Sequence, residues 1–182
     1  MLDYFQNAWA ATHAVEKGYV DNVNDSGGKT NHGITERVAR KNGYTGDMKD
    51  LPESFAYKVA KQEYWDVMGL DEVAAVHATV ALEMFDTGFL CGPYYGALFF
   101  QEGLNSLNRQ GKDYVDLVAD GKIGGVTVAA LRAFIAKRTA GGVTVLLRVM
   151  NSQQCEHLRQ ITKVLPKDED FFYGWVLNRV VI

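Results

Sequence analysis

This chain has no surplus of basic residues. Its 19 lysines and arginines face 22 acidic residues, a net charge of −3. Without a broad positive field, nucleic acid is not an expected partner, and attraction to an anionic surface would need a local basic patch. Cysteine is scarce. Cys91 and Cys155 lie far apart in the sequence. Two free, mostly buried thiols are the expectation, although distance along the chain leaves pairing open. No C-x-x-C or H-E-x-x-H pattern occurs, so neither a bound metal nor a cofactor is expected. Long apolar runs are also missing. Glu83 and Asp86 interrupt the most apolar stretch, so stable membrane insertion is not expected. No basic, cleavable leader is present, which predicts synthesis and storage in the cytoplasm. Repeats and low-complexity segments are absent.

What is present reads as mostly helical. A chain of 182 residues with 47% hydrophobic content is one domain, or one domain with a small appended lobe. Leu2 to Val15 has an amphipathic period. Pro52 opens a helix expected to run through Trp65. Val73 to Phe89 is apolar on nearly every face and reads as one buried central helix. Its Glu83 and Asp86 then need partners, and an internal salt bridge is the expectation for Glu83. Gly92-Pro93 breaks the chain, and Tyr94 to Leu107 follows as a helix. A turn at 120–125 leads to a helix from Val126 to Arg138. Gly141-Gly142 separates that from a long helix, Val143 to Val164. A last short helix covers Asp170 to Arg179.

Glu16 is the residue on which chemistry can turn. Leu2, Phe5, Trp9 and Thr12 form one helical stripe, and the next position in its rhythm is 16. At about 100° per residue, Glu16 projects within roughly 20° of both Phe5 and Trp9. Apolar walls disfavour the charged carboxylate and raise its pKa, as a general acid needs near neutral pH. The stretch after it, from Lys17 to Thr35, is dense in Gly, Asn and Asp. It reads as a tight loop or short irregular hairpin. A helix ending in a buried carboxyl and facing a small polar hairpin suits a sugar-cleaving cleft. The plainer reading is a solvated helix-end charge neutralised by Lys17, followed by an ordinary loop.

The run from Glu16-Lys17-Gly18-Tyr19 through Asp25-Ser26-Gly27-Gly28-Lys29-Thr30-Asn31-His32-Gly33-Ile34-Thr35 resembles the signature of glycoside hydrolase family 108. Those proteins are phage- and prophage-type N-acetylmuramidases, or endolysins. Gly46-Asp47-Met48, Tyr64-Trp65, Phe85-Asp86-Thr87 and Gly92-Pro93 resemble later family motifs. Asp120-Gly121-Lys122-Ile123-Gly124 and the Phe172 to Val180 segment resemble the peptidoglycan-binding region of these proteins. The resemblance implies a mainly α, lysozyme-like helical fold with a small irregular β-hairpin after the first helix. It implies a catalytic lobe at 1–92 and a helical peptidoglycan-binding lobe at 93–182, expected to pack as one unit because no long linker separates them. It also implies a monomer that reaches the wall through a holin-type pore.

The implied acid is Glu16. Asp25 or Asp21 would stabilise the developing cation or activate water, and Thr30 would orient that water. Asp25 has an equal claim as the cap of the Asp-Ser-Gly-Gly turn. Tyr19, Asn31, Tyr64 and Asp86 are the candidate substrate-binding residues. Trp65 reads as core, and His32 occupies a variable slot that suggests a surface role. Glu16, Asp25 and Thr30 also resemble the E-x8-D-x5-T set of another class of phage lysozymes, with a last gap one residue shorter. Two departures matter. Lys17 replaces a family glycine and would lower the pKa of the acid beside it. Leu90 stands where the family has asparagine, which removes a hydrogen-bonding side chain. Three readings stay open: muramidase, lytic transglycosylase, and a non-catalytic wall-binding or assembly protein on the same fold.

Overall fold

The computed structural model describes residues 3–14, 18–21 and 28–180, with Ala140 described by its backbone alone. The architecture is mainly α and lysozyme-like, with a small antiparallel hairpin after the first helix, as the sequence led us to expect. Helix α1 spans Tyr4–His13, and the Asp3 carboxylate caps it by accepting from the Gln6 N–H at 3.0 Å. Its buried stripe is Phe5, Ala8, Trp9 and Thr12. Strands β1 (Thr30–Asn31) and β2 (Ile34–Thr35) pair through the two-residue loop His32-Gly33. Both loop residues have positive φ, 52° and 73°, the geometry of a type I′ turn that matches strand twist. Val20 adds a backbone bridge to Thr30 on the other side. Thr35 then serves as N-cap of α2 (Glu36–Lys41), a short helix with no forecast in the sequence reading.

A 3-10 turn, Met48–Asp50, leads to α3 (Glu53–Ala60), which continues into a π-helical stretch, Lys61–Asp66. This carries the expected helix through Trp65. Next come α4 (Leu70–Ala74), α5 (Ala78–Cys91) and α6 (Pro93–Ser106). The expected continuous helix from Val73 to Phe89 is therefore two. The chain turns at 75–77, where His77 is extended, with φ −155° and ψ 106°. No Gly or Pro marks this break, and tertiary packing overrides the local preference of the run.

Helices α5 and α6 approach backbone to backbone. A Cβ on Gly96 would lie 2.6 Å from the Met84 carbonyl oxygen and 3.0 Å from the Gly88 nitrogen. Helix α7 runs Gly125–Val164 and is broken at Thr139, whose φ of 57° is left-handed for a β-branched residue. The break thus falls just before the expected glycine pair. A 3-10 turn, Pro166–Asp168, leads to α8 (Glu169–Arg179). One hydrophobic core takes residues from both halves, from Phe5 and Trp65 to Leu131 and Met150. Both cysteines are free and half-buried. No helix among the described residues is long and apolar enough to cross a membrane.

Candidate active site

At the C-terminal end of α1, Thr12 meets Asp86 of α5 and His13 meets the hairpin tip. His13 stacks on Trp9, with centroids 4.7 Å apart and planes at 16°. Its Nε2 lies 2.9 Å from the His32 Nδ1. The type I′ turn thus places the hairpin tip against α1, and His32, expected at the surface, is half-buried. Glu53 at the start of α3 lies 3.8 Å from the His13 Nδ1 but is largely exposed, so solvent weakens any pairing.

Ring contacts run unbroken beneath this end of the helix. Tyr64 meets Phe89 at 5.0 Å, Phe89 meets Trp9 at 6.1 Å, and Trp9 meets His13, which meets His32 at 5.1 Å. Trp9 and Phe89 are buried, whereas Tyr64, His13 and His32 keep partial access to solvent. Adjacent residues of the π-helical stretch face different ways. Tyr64 turns to Phe89, while Trp65 is core, 1% exposed, with its Nε1 donating to Asp71 at 2.9 Å. Burial raises the Tyr64 hydroxyl pKa.

Asp86 lies at the junction of three helices. It accepts from the Thr12 hydroxyl at 3.0 Å and is ion-paired with Arg179 of α8. Burial raises its pKa, and Arg179 and Thr12 act against that rise. One turn earlier on α5, Glu83 is bonded by the Thr87 hydroxyl at 3.4 Å and by Asn151. Burial, then the charge of Asp86, pushes its pKa up to about 7. The salt bridge expected for Glu83 is not formed among the described residues, because its partners are neutral.

Glu16 and Asp25, with Lys17, lie outside the described residues. Thr30 is bridged to Val20 through backbone bonds of 2.8 and 2.9 Å, and its hydroxyl donates to the Gly28 carbonyl at 3.3 Å. Asn31 is buried, and its amide donates to the Met48 and Lys49 carbonyls at 2.8 and 3.1 Å. That ties the hairpin to the 3-10 turn. Tyr19 is half-buried, donates to Asp21 at 3.1 Å and carries the Lys49 ammonium 5.4 Å from its ring centre. Leu90, which replaces the family asparagine, is half-buried at the end of α5. Among the described residues no cluster of three or more His, Cys, Asp or Glu could hold a metal ion.

Sequence reasoning missed His13 and Arg179. Trp9 and His13 are one turn apart, which was a usable signal. Arg179 stands 93 residues from its partner, and nothing local announces that pairing.

Comparison with known proteins gives this site its context. Residues 9–92 match the family model Glycosyl hydrolase 108, and residues 95–180 match the model Predicted Peptidoglycan domain. Among solved structures the chain is similar to "Structure of Brucella abortus SagA", with 25% identity and a TM-score of 0.69 over 94% of this chain and 86% of that one. No curated protein matches it. Residues 9–92 belong to the glycosyl hydrolase 108 family and residues 95–180 to the predicted peptidoglycan domain family, and the chain is accordingly a glycoside hydrolase that acts on peptidoglycan.

Proposed function

We propose that the chain is an N-acetylmuramidase that cleaves the β-1,4 bond between N-acetylmuramic acid and N-acetylglucosamine, with Glu16 as its general acid. The observation that carries this reading is the match over residues 9–92, which spans the whole Glu16-to-Thr35 motif. The setting of α1 supports it. Thr12, one helical turn before Glu16 in sequence, is held by Asp86, and His13 is held between Trp9 and the hairpin tip. The end of α1 is thus held on two sides, and Glu16 follows it by three residues in the sequence.

In this reading Glu16 gives its proton to the glycosidic oxygen as the bond breaks. A loop carboxylate, Asp25 or Asp21, stabilises the cation or activates water, and Thr30 orients that water. Tyr19 and Tyr64 offer rings and hydroxyls to the sugar. Asn31 and Asp86 act through position, since their polar atoms hold the hairpin and α1.

Glu16→Gln tests the assignment. The amide has no proton to give, so digestion of purified peptidoglycan should stop while the melting temperature holds or rises. Activity above a few per cent of wild type removes Glu16 from the role. Mass spectrometry of the wild-type products checks the bond: a reducing N-acetylmuramic acid end supports hydrolysis, and an anhydro end would make the enzyme a lytic transglycosylase.

A further inference from the structure

A groove of about 600 Å³ opens between α6 and the second part of α7, lined entirely by residues 99–157 and separate from the ring file under α1. Phe99, Val145 and Val149 give it an apolar floor. One wall is aromatic: His157 packs against Tyr95 at 4.0 Å and against Phe99 at 5.8 Å.

Among the described residues, two polar groups in this groove have no protein partner. Gln153 donates its Nε2 to the Glu102 carboxylate at 2.7 Å. A carboxylate only accepts, so this bond fixes which way the amide faces. The Gln153 Oε1 is left buried with no donor among the described residues. A buried acceptor without a donor is costly and unusual, and it calls for an N–H from outside. The second group is Arg148. No carboxylate pairs with it among the described residues, because the nearby Glu156 is already gripped by Arg159 through bonds of 2.7 Å. An unpaired guanidinium on the rim of an apolar groove suits an incoming carboxylate.

We propose that this groove binds the stem peptide of peptidoglycan, with a peptide N–H on the Gln153 Oε1, a free carboxylate on Arg148 and an alanine methyl against Val145 and Val149. The alternative occupant, the glycan strand, answers only part of the site. Its acetamido groups offer an N–H and a methyl. In peptide-bearing strands, however, the lactyl carboxylate is consumed in the amide bond, so nothing on the sugar meets Arg148. Glu102, beside Gln153, complements the amine of a diamino-acid residue. The inference rests on peptidoglycan being the substrate, and it places a recognition site for the peptide apart from the ring file under α1.

Calorimetry on the full-length protein tests it, with two probes: a purified sugar-free stem tetrapeptide, and chitotetraose, which has acetamides but no carboxylate. The tetrapeptide should bind. Arg148→Glu, at an exposed position, should weaken it at least tenfold with the melting temperature unchanged. Gln153→Met should weaken it by a similar factor, and a drop in its melting temperature would leave Arg148→Glu to decide. No tetrapeptide binding, or binding indifferent to Arg148→Glu, overturns the proposal. So does chitotetraose binding that depends on Gln153, which would give the groove to the glycan. Digestion of intact peptidoglycan by the wild type is measured in parallel. Digestion without peptide binding ends the groove proposal alone, whereas peptide binding without digestion ends the muramidase reading alone.

Discussion

The two sides of α5 are built on opposite principles. On one side Phe85 and Phe89 mesh with Phe5, Trp65, Trp9 and Tyr64 at centroid distances of 5.0 to 6.1 Å. On the other, Glu83 is bonded to Asn151 of α7 and to Thr87 within α5, and Asp86 to Arg179 of α8 and Thr12 of α1. Ring packing is broad and tolerant, because many weak contacts share the load. The polar side has few contacts, and each depends on a particular partner. The aromatic side therefore holds α1 and the π-helical stretch near the candidate site. The polar side decides where the second half of the chain closes on the first.

The comparison is broken most severely by removing α5. A fragment starting near Gly92 loses the helix against which Gly96 packs and much of the shared core to which Phe100 and Leu104 belong. We expect it to be poorly soluble or molten, to bind a hydrophobic dye and to show no cooperative unfolding. A soluble fragment that unfolds cooperatively would show that the residues after 92 form an independent domain.

The next effect is on the polar side alone. Arg179→Met leaves the Asp86 carboxylate buried without its cation, a loss expected to cost about 3–5 kcal/mol by chemical denaturation. Adding Asp86→Asn removes the stranded charge and should recover most of that stability. If the double variant is no more stable than Arg179→Met, the ion pair is not what links α5 to α8.

How much of this was legible follows from the same contrast. The aromatic side could be read because its periods are local: Phe5 and Trp9 on α1, Phe85 and Phe89 on α5, and Trp65 as core. A hairpin was legible from the Gly, Asn and Asp density between Lys17 and Thr35, but its turn at His32-Gly33 came from the structure. The polar side was not, because Asp86 and Arg179 are joined only by the fold. The break at 75–77 was invisible because no Gly or Pro marks it. The left-handed Thr139 was invisible because sequence logic assigns such geometry to the glycines beside it. The loop carrying Asp120-Gly121-Lys122 is pinned by the Gln101 side chain of α6, which donates to the Asp120 carboxylate and accepts from the Gly121 N–H at 2.8 Å. That is another partnership with no local signal. Of the candidate site, the placing of His13 and His32 came from the structure, and Glu16 and Asp25 stand on the family motif.

The smallest effect separates the two sides by pH. Burial and Asp86 push the pKa of Glu83 from 4.5 up to about 7. The folded state thus holds that proton more tightly than the unfolded chain does. Its favourable contribution is complete below about pH 4.5 and is lost as pH rises through about 7. Above that, the native state carries a buried charge whose cost approaches roughly 3 kcal/mol. Glu83→Gln keeps the shape and cannot ionise. Its stability relative to wild type should therefore rise between pH 5 and pH 8, by at most that amount. Phe85→Leu, on the aromatic side, alters no titrating group, and its cost should be the same at both pH values. Denaturation of the three proteins at both pH values checks the pattern. A flat difference for Glu83→Gln would mean that Glu83 is already ionised in the fold at low pH, with solvent or a cation reaching it, and the division between the two sides of α5 would then be one of shape and not of charge.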